Sequence, residues 1–361
     1  MNLASYMNWY IRQIIRQALR TAWRRPRQTA FLVRQSGALR QAGKLRLASE
    51  KSGRHLPPFL IASITSRCNL FCKGCYARAN QICSEDRPDG GMTPTRWGEL
   101  FSEAQTLGIS FILLAGGEPL LSRPVLEMAA ACRKIVFPVF TNGVLLDDEY
   151  AVFFDRNRHL IPVLSLEGDA LATDERRGSG TYKLLEAAMA RLKARGIFFG
   201  ASVTLTSENL QAVASDEFCL DLIRRGCSLL LYVEYIPVDN EAADLAPNEA
   251  QRQAFEIRLD EMRRRFSQLV FLSFPGDEKL SGGCLAAGRG FFHINSDGGA
   301  EPCPFSPFSD TSLLTVSLAE ALESPLFRRI SEAGLLLGEH SGGCKLFEHE
   351  TEVRGMARPK P

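Results

Sequence analysis

This sequence of 361 residues has few long apolar runs and few histidines. Over its first 55 positions it also has few acidic side chains. No stretch approaches the roughly 20 consecutive apolar residues that a membrane-spanning helix requires. Arginines interrupt every candidate core of a cleavable signal peptide. The composition, 45% hydrophobic and 23% charged, excludes a disordered chain, a collagen-like repeat and a small disulfide-stapled scaffold. We expect a globular protein of about two or three domains, located in the cytoplasm, with or without peripheral attachment to the cytoplasmic face of the membrane.

The scarcity of acids at the N-terminus makes the charge of the chain uneven. Residues 1–55 hold 12 Lys and Arg against one acid, Glu50, for a net charge of +11, whereas the remainder of the chain carries −9. In the first of two expected helices, apolar residues follow helical spacing and an arginine recurs every four residues, at Arg12, Arg16, Arg20 and Arg24. Pro26 should end or kink this helix, and a second basic helix is expected over residues 28–49.

Three interpretations of this basic helical arm stay open. Its apolar face could sink into an anionic membrane surface through residues 1–50, with the arginines meeting lipid headgroups. It could instead bind nucleic acid, which we regard as the least favoured partner. In the third interpretation, the arm packs on the protein's own body and its arginines pair with the acids there.

The ten cysteines favour metal or redox chemistry, because a disulfide framework is uncommon in a protein that is not exported. An apolar run over residues 58–65 leads directly into Cys68, Cys72 and Cys75, with C-x3-C-x2-C spacing. Three thiolates can bind three irons of a [4Fe–4S] cluster and leave the fourth iron open to an exogenous ligand. A structural zinc site is the alternative, and it would need a fourth ligand such as Cys83.

A second apolar run, over residues 109–115, opens into Gly116, Gly117, Glu118 and Pro119. An unbroken apolar run of this length predicts a buried parallel strand. Glycines at its end would let a ligand approach the backbone closely, and the acid could accept a hydrogen bond from an ammonium group. A simple turn at the end of a strand is the alternative.

Together these two motifs closely resemble those of the radical S-adenosylmethionine (SAM) superfamily. The resemblance implies that the three cysteines bind a [4Fe–4S] cluster whose open iron is chelated by the amino and carboxylate groups of SAM. The end of the GGEP strand would contact the SAM ammonium. The implied cluster ligands are Cys68, Cys72 and Cys75, and the implied SAM contacts are Gly116, Gly117, Glu118 and Pro119. In one departure, the usually aromatic residue before the third cysteine is Gly74, and the aromatic Tyr76, our candidate cofactor contact, follows instead.

The periodicity of the central region supports an α/β fold of the superfamily's type, a partial (β/α)6 TIM-like barrel. Strands are expected at residues 58–65, 109–115, 135–141, 160–166, 197–205 and 229–236, with helices at 94–107, 122–133, 147–156, 180–195 and 216–226. Polar residues at the strand ends, Asn142, Ser165 and Glu167, are candidate SAM contacts by the resemblance. Arg177, in a D-x-x-R-G element, would pair with the SAM carboxylate, since a guanidinium can bind a carboxylate through two hydrogen bonds.

The C-terminal third holds a second group of cysteines. Residues 291–295 and 300–302 flank a Ser-Asp-Gly-Gly turn and predict a hairpin, with Cys284 before it and Cys303 after it. With Cys344, this C-x13-G-x4-C pattern resembles the SPASM or twitch extension of radical SAM enzymes and implies one auxiliary [4Fe–4S] cluster. Its fourth ligand stays open among His340, Glu348, His349, another cysteine or a substrate, and a zinc-pinned hairpin is the alternative.

These motifs divide the chain into a basic helical N-terminal arm (residues 1–55), a partial-barrel core (56–240) and a linker helix with a hairpin-plus-helix auxiliary-cluster extension (241–361). The resemblance implies an enzyme that cleaves SAM reductively and abstracts hydrogen from a peptide, lipid or other small molecule, with Tyr235 and Cys83 as candidate hydrogen donors. An external electron donor of the ferredoxin or flavodoxin type is the implied partner. The alternative is a non-catalytic iron–sulfur or zinc-binding carrier or scaffold.

Overall fold

A parallel sheet with an added hairpin forms the centre of the protein. The structure is a computed structural model that describes residues 3–23, 25–80, 82–83, 91–238, 242–338 and 343–357. The strands are β1 (Phe59–Ser63), β2 (Phe111–Ala115), β3 (Phe137–Thr141), β4 (Leu160–Leu166), β5 (Gly200–Leu205), β6 (Leu229–Glu234), β7 (Val270–Phe274), β8 (His293–Ile294) and β9 (Ala300–Glu301). Within the described residues they form one nine-stranded sheet in the order β7-β6-β5-β4-β3-β2-β1-β8-β9.

Helices alternate with the strands along the barrel. Those up to β6 are α1 (Leu3–Ala22), α2 (Pro26–Lys51), α3 (Tyr76–Ala79), α4 (Pro94–Leu107), α5 (Arg123–Ala131), α6 (Asp148–Arg156), α7 (Ala170–Arg177), α8 (Thr181–Ala194), α9 (Leu210–Val213) and α10 (Asp216–Arg225). After β6 come α11 (Glu249–Arg265), α12 (Leu318–Ala321), α13 (Pro325–Glu332), α14 (Lys345–Glu348) and α15 (Glu350–Ala357). Three of the barrel helices, α4, α6 and α10, start at residues whose side chains cap the backbone, namely Thr93, Asp147 and Ser215.

The strands β1 to β7 pair in parallel with their neighbours, so their carboxyl ends meet at one edge of the sheet. The expected α/β class and partial TIM-like barrel are confirmed. The sheet is larger than predicted, because β7 continues it beyond β6. Residues 270–274 were expected to lie within the linker and extension, and their strand forms by pairing with β6, a contact that local sequence does not reveal.

The predicted C-terminal hairpin extends the opposite edge of the sheet. β8 pairs with β9 in antiparallel fashion and with β1 in parallel, with Ile61 opposite His293. The Asn295 side chain accepts a hydrogen bond from the Gly299 N–H and closes the turn. The C-terminal hairpin is therefore attached directly to the strand that leads into Cys68.

The N-terminal helices α1 and α2 pack on the barrel. Their residues Ala18, Ala22, Leu32 and Leu39 share a core with residues at or beside the starts of the barrel strands, including Val136. Polar contacts accompany this packing: the Gln17 side chain donates to the Leu269 carbonyl at 2.9 Å. The buried Arg46 side chain donates to Ser110 at 2.8 Å. The apolar stripe of the arm thus lies against the protein's own body.

The arginine row of α1 faces away from the barrel. Arg12, Arg16 and Arg20 are exposed, and Arg24 lies outside the described residues. Pro26 begins α2 at its first turn, a position that proline tolerates because its missing N–H has no helical partner there. Throughout the part of the chain that the structure describes, no helix is both long enough and apolar enough to cross a membrane.

Candidate functional site

The first cysteine loop lies at the carboxyl end of β1 and is held by the glycines after β2. The Gly117 N–H donates to the Thr65 carbonyl and the Glu118 N–H donates to the Arg67 carbonyl, both at 2.8 Å. A Cβ atom on Gly117 would lie 1.9 Å from the Arg67 carbonyl oxygen, so a side chain there would push the loop away. The glycines therefore let the two strand ends run side by side immediately before Cys68.

The thiols of this loop lie close together. The Cys83 thiol donates a hydrogen bond to the Cys68 sulfur, which lowers the pKa of Cys68 to about 6 and favours its thiolate, the form that binds iron. Burial raises the pKa of Cys72, and the nearby charges of Cys75 and Cys68 raise it further. The structure thus brings together the three predicted cluster ligands and adds Cys83 beside them.

Tyr235, at the end of β6, fills the space in which a side chain on Gly74 would lie. A Cβ atom at residue 74 would be 2.8 Å from both Cε2 and the hydroxyl oxygen of the Tyr235 ring. Gly74 has φ +65°, a backbone conformation that favours glycine. An aromatic ring therefore does stand beside this position of the loop, supplied by a distant strand rather than by residue 74 itself.

Glu118 ties the ends of β2 and β3 together. Its buried carboxylate accepts hydrogen bonds from the Leu120 N–H at 3.0 Å, the Thr141 hydroxyl at 2.6 Å and the Asn142 N–H at 2.7 Å. Burial raises its pKa to about 7. The Asn142 side chain in turn donates to Asn69, between Cys68 and Cys72, at 2.8 Å. This network fixes the cysteine loop relative to two strand ends.

A buried ion pair connects β4 to the same loop. Oε1 of Glu167 accepts hydrogen bonds from Arg176 Nη1 at 2.5 Å and from Arg177 Nε at 2.8 Å. Arg177 Nη1 lies 3.9 Å from the Cys72 sulfur. The guanidinium edge expected to grip the SAM carboxylate is bound to Glu167, while the other oxygen of Glu167, Oε2, is buried and has no hydrogen-bond partner among the described residues.

The remaining predicted contacts lie around this group. Ser165 is half-buried on β4, opposite Ser202 in the register with β5. The ring of Tyr76 packs edge-on against Phe305, with ring centroids 5.1 Å apart. Its hydroxyl is near both Cys75 and Cys303, whose charges add to the burial that raises its pKa. Tyr76 therefore stands between the two groups of cysteines.

The three C-terminal cysteines also converge. The Cys303 thiol donates a hydrogen bond to Cys344, which lowers the pKa of Cys344. Burial raises the pKa of Cys284, with further contributions from the charges of Glu278 and Cys344. These residues line one small cavity together with Glu278, Phe274 and Phe305.

Glu278 is a site residue that the sequence analysis missed. It lies in the short 3-10 helix Gly276–Ser281 and is 3% exposed. The proposed alternatives Glu348 and His349 are exposed, and His340 lies outside the described residues. An acid six positions before Cys284 was the available signal, but nothing in the local pattern showed that this acid turns inward.

Each of the two cysteine sites offers three thiols, and the pKa of one thiol at each site is lowered. Three thiols at each site suit the implied [4Fe–4S] clusters. Within the described ranges, no three His, Cys, Asp or Glu side chains are close enough together to hold a single metal ion. A cubane cluster does not need such closeness, because each of its cysteines binds a different iron.

The chain is similar to several known proteins. Residues 62–218 match the sequence model of the radical SAM superfamily. Fe-coproporphyrin III synthase of Methanosarcina barkeri is 28% identical over 57% of this chain and 52% of its own length. Pre-heme d1 synthase of Dinoroseobacter shibae is 30% identical over 42% of this chain and 37% of its own length. The chain thus spans about half, or less, of these two curated relatives.

Solved structures show the same fold. Streptococcus suis SuiB, bound to its precursor peptide SuiA, matches with a TM-score of 0.66 and 17% identity over 84% of this chain and 76% of that one. The same protein bound to S-adenosylmethionine matches with a TM-score of 0.65 and 18% identity over 84% and 77% of the two chains. With its C-x3-C-x2-C loop at the end of the first strand of a partial barrel, this chain carries a domain of the radical SAM superfamily over residues 62–218.

Proposed function

We propose that this protein is a radical SAM enzyme that uses the loop of Cys68, Cys72 and Cys75 to activate SAM. The observation that carries the proposal is the convergence of these thiols, at the carboxyl ends of parallel strands, in a chain with a domain of this superfamily. When bound, the cluster and SAM supply an electron transfer that cleaves the sulfonium to methionine and a 5′-deoxyadenosyl radical, which abstracts hydrogen from the substrate.

The protein's own residues bind, orient and shield these groups. Cys68 is kept as a thiolate by the hydrogen bond from Cys83, and the guanidinium of Arg177 beside Cys72 offsets the negative charge of the ligands. The unpartnered Oε2 of Glu167 is an acceptor for a donor group of SAM. Asn142 and Ser165, with the backbone of Gly116 to Pro119, complete the SAM-binding edge that we propose.

We also propose that Cys284, Cys303 and Cys344 bind one auxiliary [4Fe–4S] cluster. The support is their convergence around one cavity in a hairpin that is attached to β1. Such a cluster would supply an electron acceptor for a substrate radical or a direct binding site for the substrate. Tyr76 lies between the two sites, and Cys83 and Tyr235 stay candidate hydrogen donors to the substrate radical.

Anaerobic reconstitution with iron and sulfide, followed by addition of SAM and dithionite, tests the main proposal. We expect production of 5′-deoxyadenosine, about eight irons per chain for two [4Fe–4S] clusters, and no 5′-deoxyadenosine from Cys75→Ser. Intact clusters without 5′-deoxyadenosine would instead support the alternative, a non-catalytic iron–sulfur carrier. About four irons per chain would leave one cluster and contradict the auxiliary site.

For the substrate we propose a chemical class and not a single compound. The curated relatives described above are named for tetrapyrrole products, and SuiB was solved with a precursor peptide. We therefore propose hydrogen abstraction from a peptide, a lipid or another small molecule as the step shared by these possibilities. Addition of each class to the assay above distinguishes them, because the true substrate should increase the rate of 5′-deoxyadenosine formation.

An external electron donor of the ferredoxin or flavodoxin type is the partner we propose for the first cluster. The exposed, positively charged side chains of Arg67 and Lys73 flank the cysteine loop. Phe71 is 65% exposed beside them and stacks with the Arg78 guanidinium at 3.7 Å. A basic surface around an aromatic side chain suits an acidic protein. Salt should therefore slow reduction by flavodoxin more than reduction by dithionite.

We propose an anionic membrane surface as a further partner, through the outer face of residues 1–50. The exposed arginines of α1 lie on the same face as Trp9 and Trp23, which are 45% and 69% exposed. Arg20, Trp23 and Arg25 also line a surface cleft. Because the other face of α1 is buried on the barrel, deletion of residues 1–50 would damage the fold, and point variants are the sounder test.

The variants replace Arg12, Arg16 and Arg20 with serine, and the matched control replaces the exposed Lys183, Arg264 and Arg328 with serine. We expect the first triple variant to lose flotation with vesicles that contain phosphatidylglycerol, while wild type and control float. Equal flotation of all three proteins would contradict membrane binding by this face.

A further inference from the structure

Glu278 is a buried carboxylate at the second cysteine site. It is 3% exposed, and its Oε1 atom has no hydrogen-bond partner among the described residues. The carboxylate accepts a hydrogen bond from the Leu285 N–H and lies in hydrogen-bond contact with the Cys284 thiol. A buried carboxylate oxygen without a partner is strongly unfavourable, so the fold holds it there at a cost in stability.

Nothing in the described surroundings neutralises this carboxylate directly. The charge of Arg289 acts on it, but Arg289 donates its hydrogen bonds elsewhere: to the carbonyls of Gly283 and Cys284 at 2.9 Å and to that of Ser281 at 2.6 Å. Arg289 therefore fixes the loop around Cys284 instead of pairing with Glu278. The unpartnered oxygen is left within the group of cysteines.

The cavity that Glu278 lines is the one lined by Cys284, Cys303 and Cys344. Three thiols and one carboxylate make four anionic donors around one space, which is the number that a [4Fe–4S] cluster requires. Carboxylate oxygen is a competent ligand for iron. Two other acids lie near these thiols. Glu234 lines the same cavity, but its Oε1 accepts hydrogen bonds from Arg252 at 2.6 Å and from the Gly343 N–H at 2.9 Å. Glu348 is exposed on α14 and acts on Cys344 through its charge.

We propose that Glu278 is the fourth ligand of the auxiliary cluster, so that this cluster is bound by three cysteines and one glutamate. The inference rests on the proposed auxiliary cluster and gives it a closed ligand set. A cluster with no open iron serves electron transfer and not direct binding of substrate.

The test isolates the auxiliary cluster in the full-length chain by replacing Cys68, Cys72 and Cys75 with serine. In that background Glu278→Ala, Glu278→Gln and Glu278→Cys are reconstituted anaerobically, and iron content and electron paramagnetic resonance (EPR) spectra are recorded. Glu348→Ala is the matched control, because it removes a carboxylate near the same cysteines that faces solvent. Circular dichroism confirms that each variant is folded.

We expect Glu278→Ala and the isosteric Glu278→Gln to fall from about four to about three irons and to show a [3Fe–4S] signal when oxidised, since one iron has lost its protein ligand. Glu278→Cys should restore about four irons with altered g values. Glu348→Ala should match its parent. Four irons and an unchanged spectrum in Glu278→Ala would overturn the proposal while leaving the auxiliary cluster intact. Absence of iron from the parent would overturn both the cluster and its ligand.

Discussion

The ring of Tyr235 lies against the backbone of Gly74, in the space that any side chain at residue 74 would occupy. The two residues are 161 positions apart, and their contact joins the end of β6 to the cysteine loop. It fixes the path of the loop between Cys72 and Cys75. The contact therefore connects the spacing of the cluster ligands to the packing of the barrel.

We predict that Gly74→Ala disturbs the first cluster. The new methyl group would be 2.8 Å from the Tyr235 ring, at a residue with φ +65°, so either the ring or the loop must move. We expect lower iron content and weaker SAM binding, measured by iron analysis and by anaerobic calorimetry.

Gly196→Ala is the control for this substitution. Gly196 has φ +59° and no atom within 4 Å of an added Cβ, so it carries the backbone strain without the collision. It should cost about 1 kcal/mol of stability and leave SAM binding unchanged. Equal effects of the two alanines on SAM binding would show that the contact with Tyr235 does not matter.

The elements that depend on local sequence pattern could be predicted from the sequence. The strand before Cys68, the strand before Gly116 and the hairpin between Cys284 and Cys303 all follow from apolar runs and turn residues. Contacts between segments that are distant along the chain could not be predicted from the sequence. Neither the fit of Tyr235 onto Gly74 nor the inward turn of Glu278 leaves a periodic signal. The strand β7 was missed for the same reason, since its pairing with β6 is a tertiary contact.

Glu167→Gln should weaken SAM binding. The Gln carbonyl can keep accepting from Arg176 and Arg177, but an NH2 group replaces the unpartnered Oε2 that we assign to SAM. Loss of a hydrogen bond to a charged group predicts a rise in Kd of about tenfold or more. Glu186→Gln, which breaks a half-exposed ion pair with Arg225, should leave Kd unchanged. An unchanged Kd in Glu167→Gln would remove this residue from the SAM site.

The Cys83→Ser variant distinguishes the proposed enzyme from a non-catalytic carrier whose first cluster is bound by four cysteines. If Cys83 only donates a hydrogen bond to Cys68, a serine hydroxyl can do the same, and both iron content and 5′-deoxyadenosine formation should persist. Cys75→Ser should lose the first cluster, about four of the eight irons, and 5′-deoxyadenosine formation with it. Loss of the first cluster in Cys83→Ser would mean that Cys83 binds the fourth iron, which leaves no iron for SAM.

We predict that the buried side chain of His159 makes the folded protein less stable in acid. Burial lowers its pKa to about 4, and its Nε2–H donates to the Ala129 carbonyl at 3.3 Å. Above about pH 6.5 the ring is neutral in both the folded and the unfolded states. Between about pH 6.5 and pH 4 the unfolded chain binds a proton that the folded protein excludes, so the free energy of unfolding falls, by about 3 kcal/mol in total.

Urea denaturation at pH 7 and pH 5 measures this loss. His159→Gln removes the titrating group, so its free energy of unfolding should change less between the two pH values than that of wild type. His349→Gln, at an exposed histidine, should behave as wild type does. The same pH dependence in all three proteins would show that His159 is not responsible.

The most direct test of the central claim asks whether SAM binds the cluster of Cys68, Cys72 and Cys75. The measurement is the EPR spectrum of the dithionite-reduced protein, with and without SAM, in a chain that carries serine at residues 284, 303 and 344 and so retains only the first cluster. We predict that SAM changes the g values of the reduced cluster and that Cys72→Ser abolishes the signal. A reduced spectrum that SAM leaves unchanged would contradict the assignment of an open, SAM-binding iron at this site.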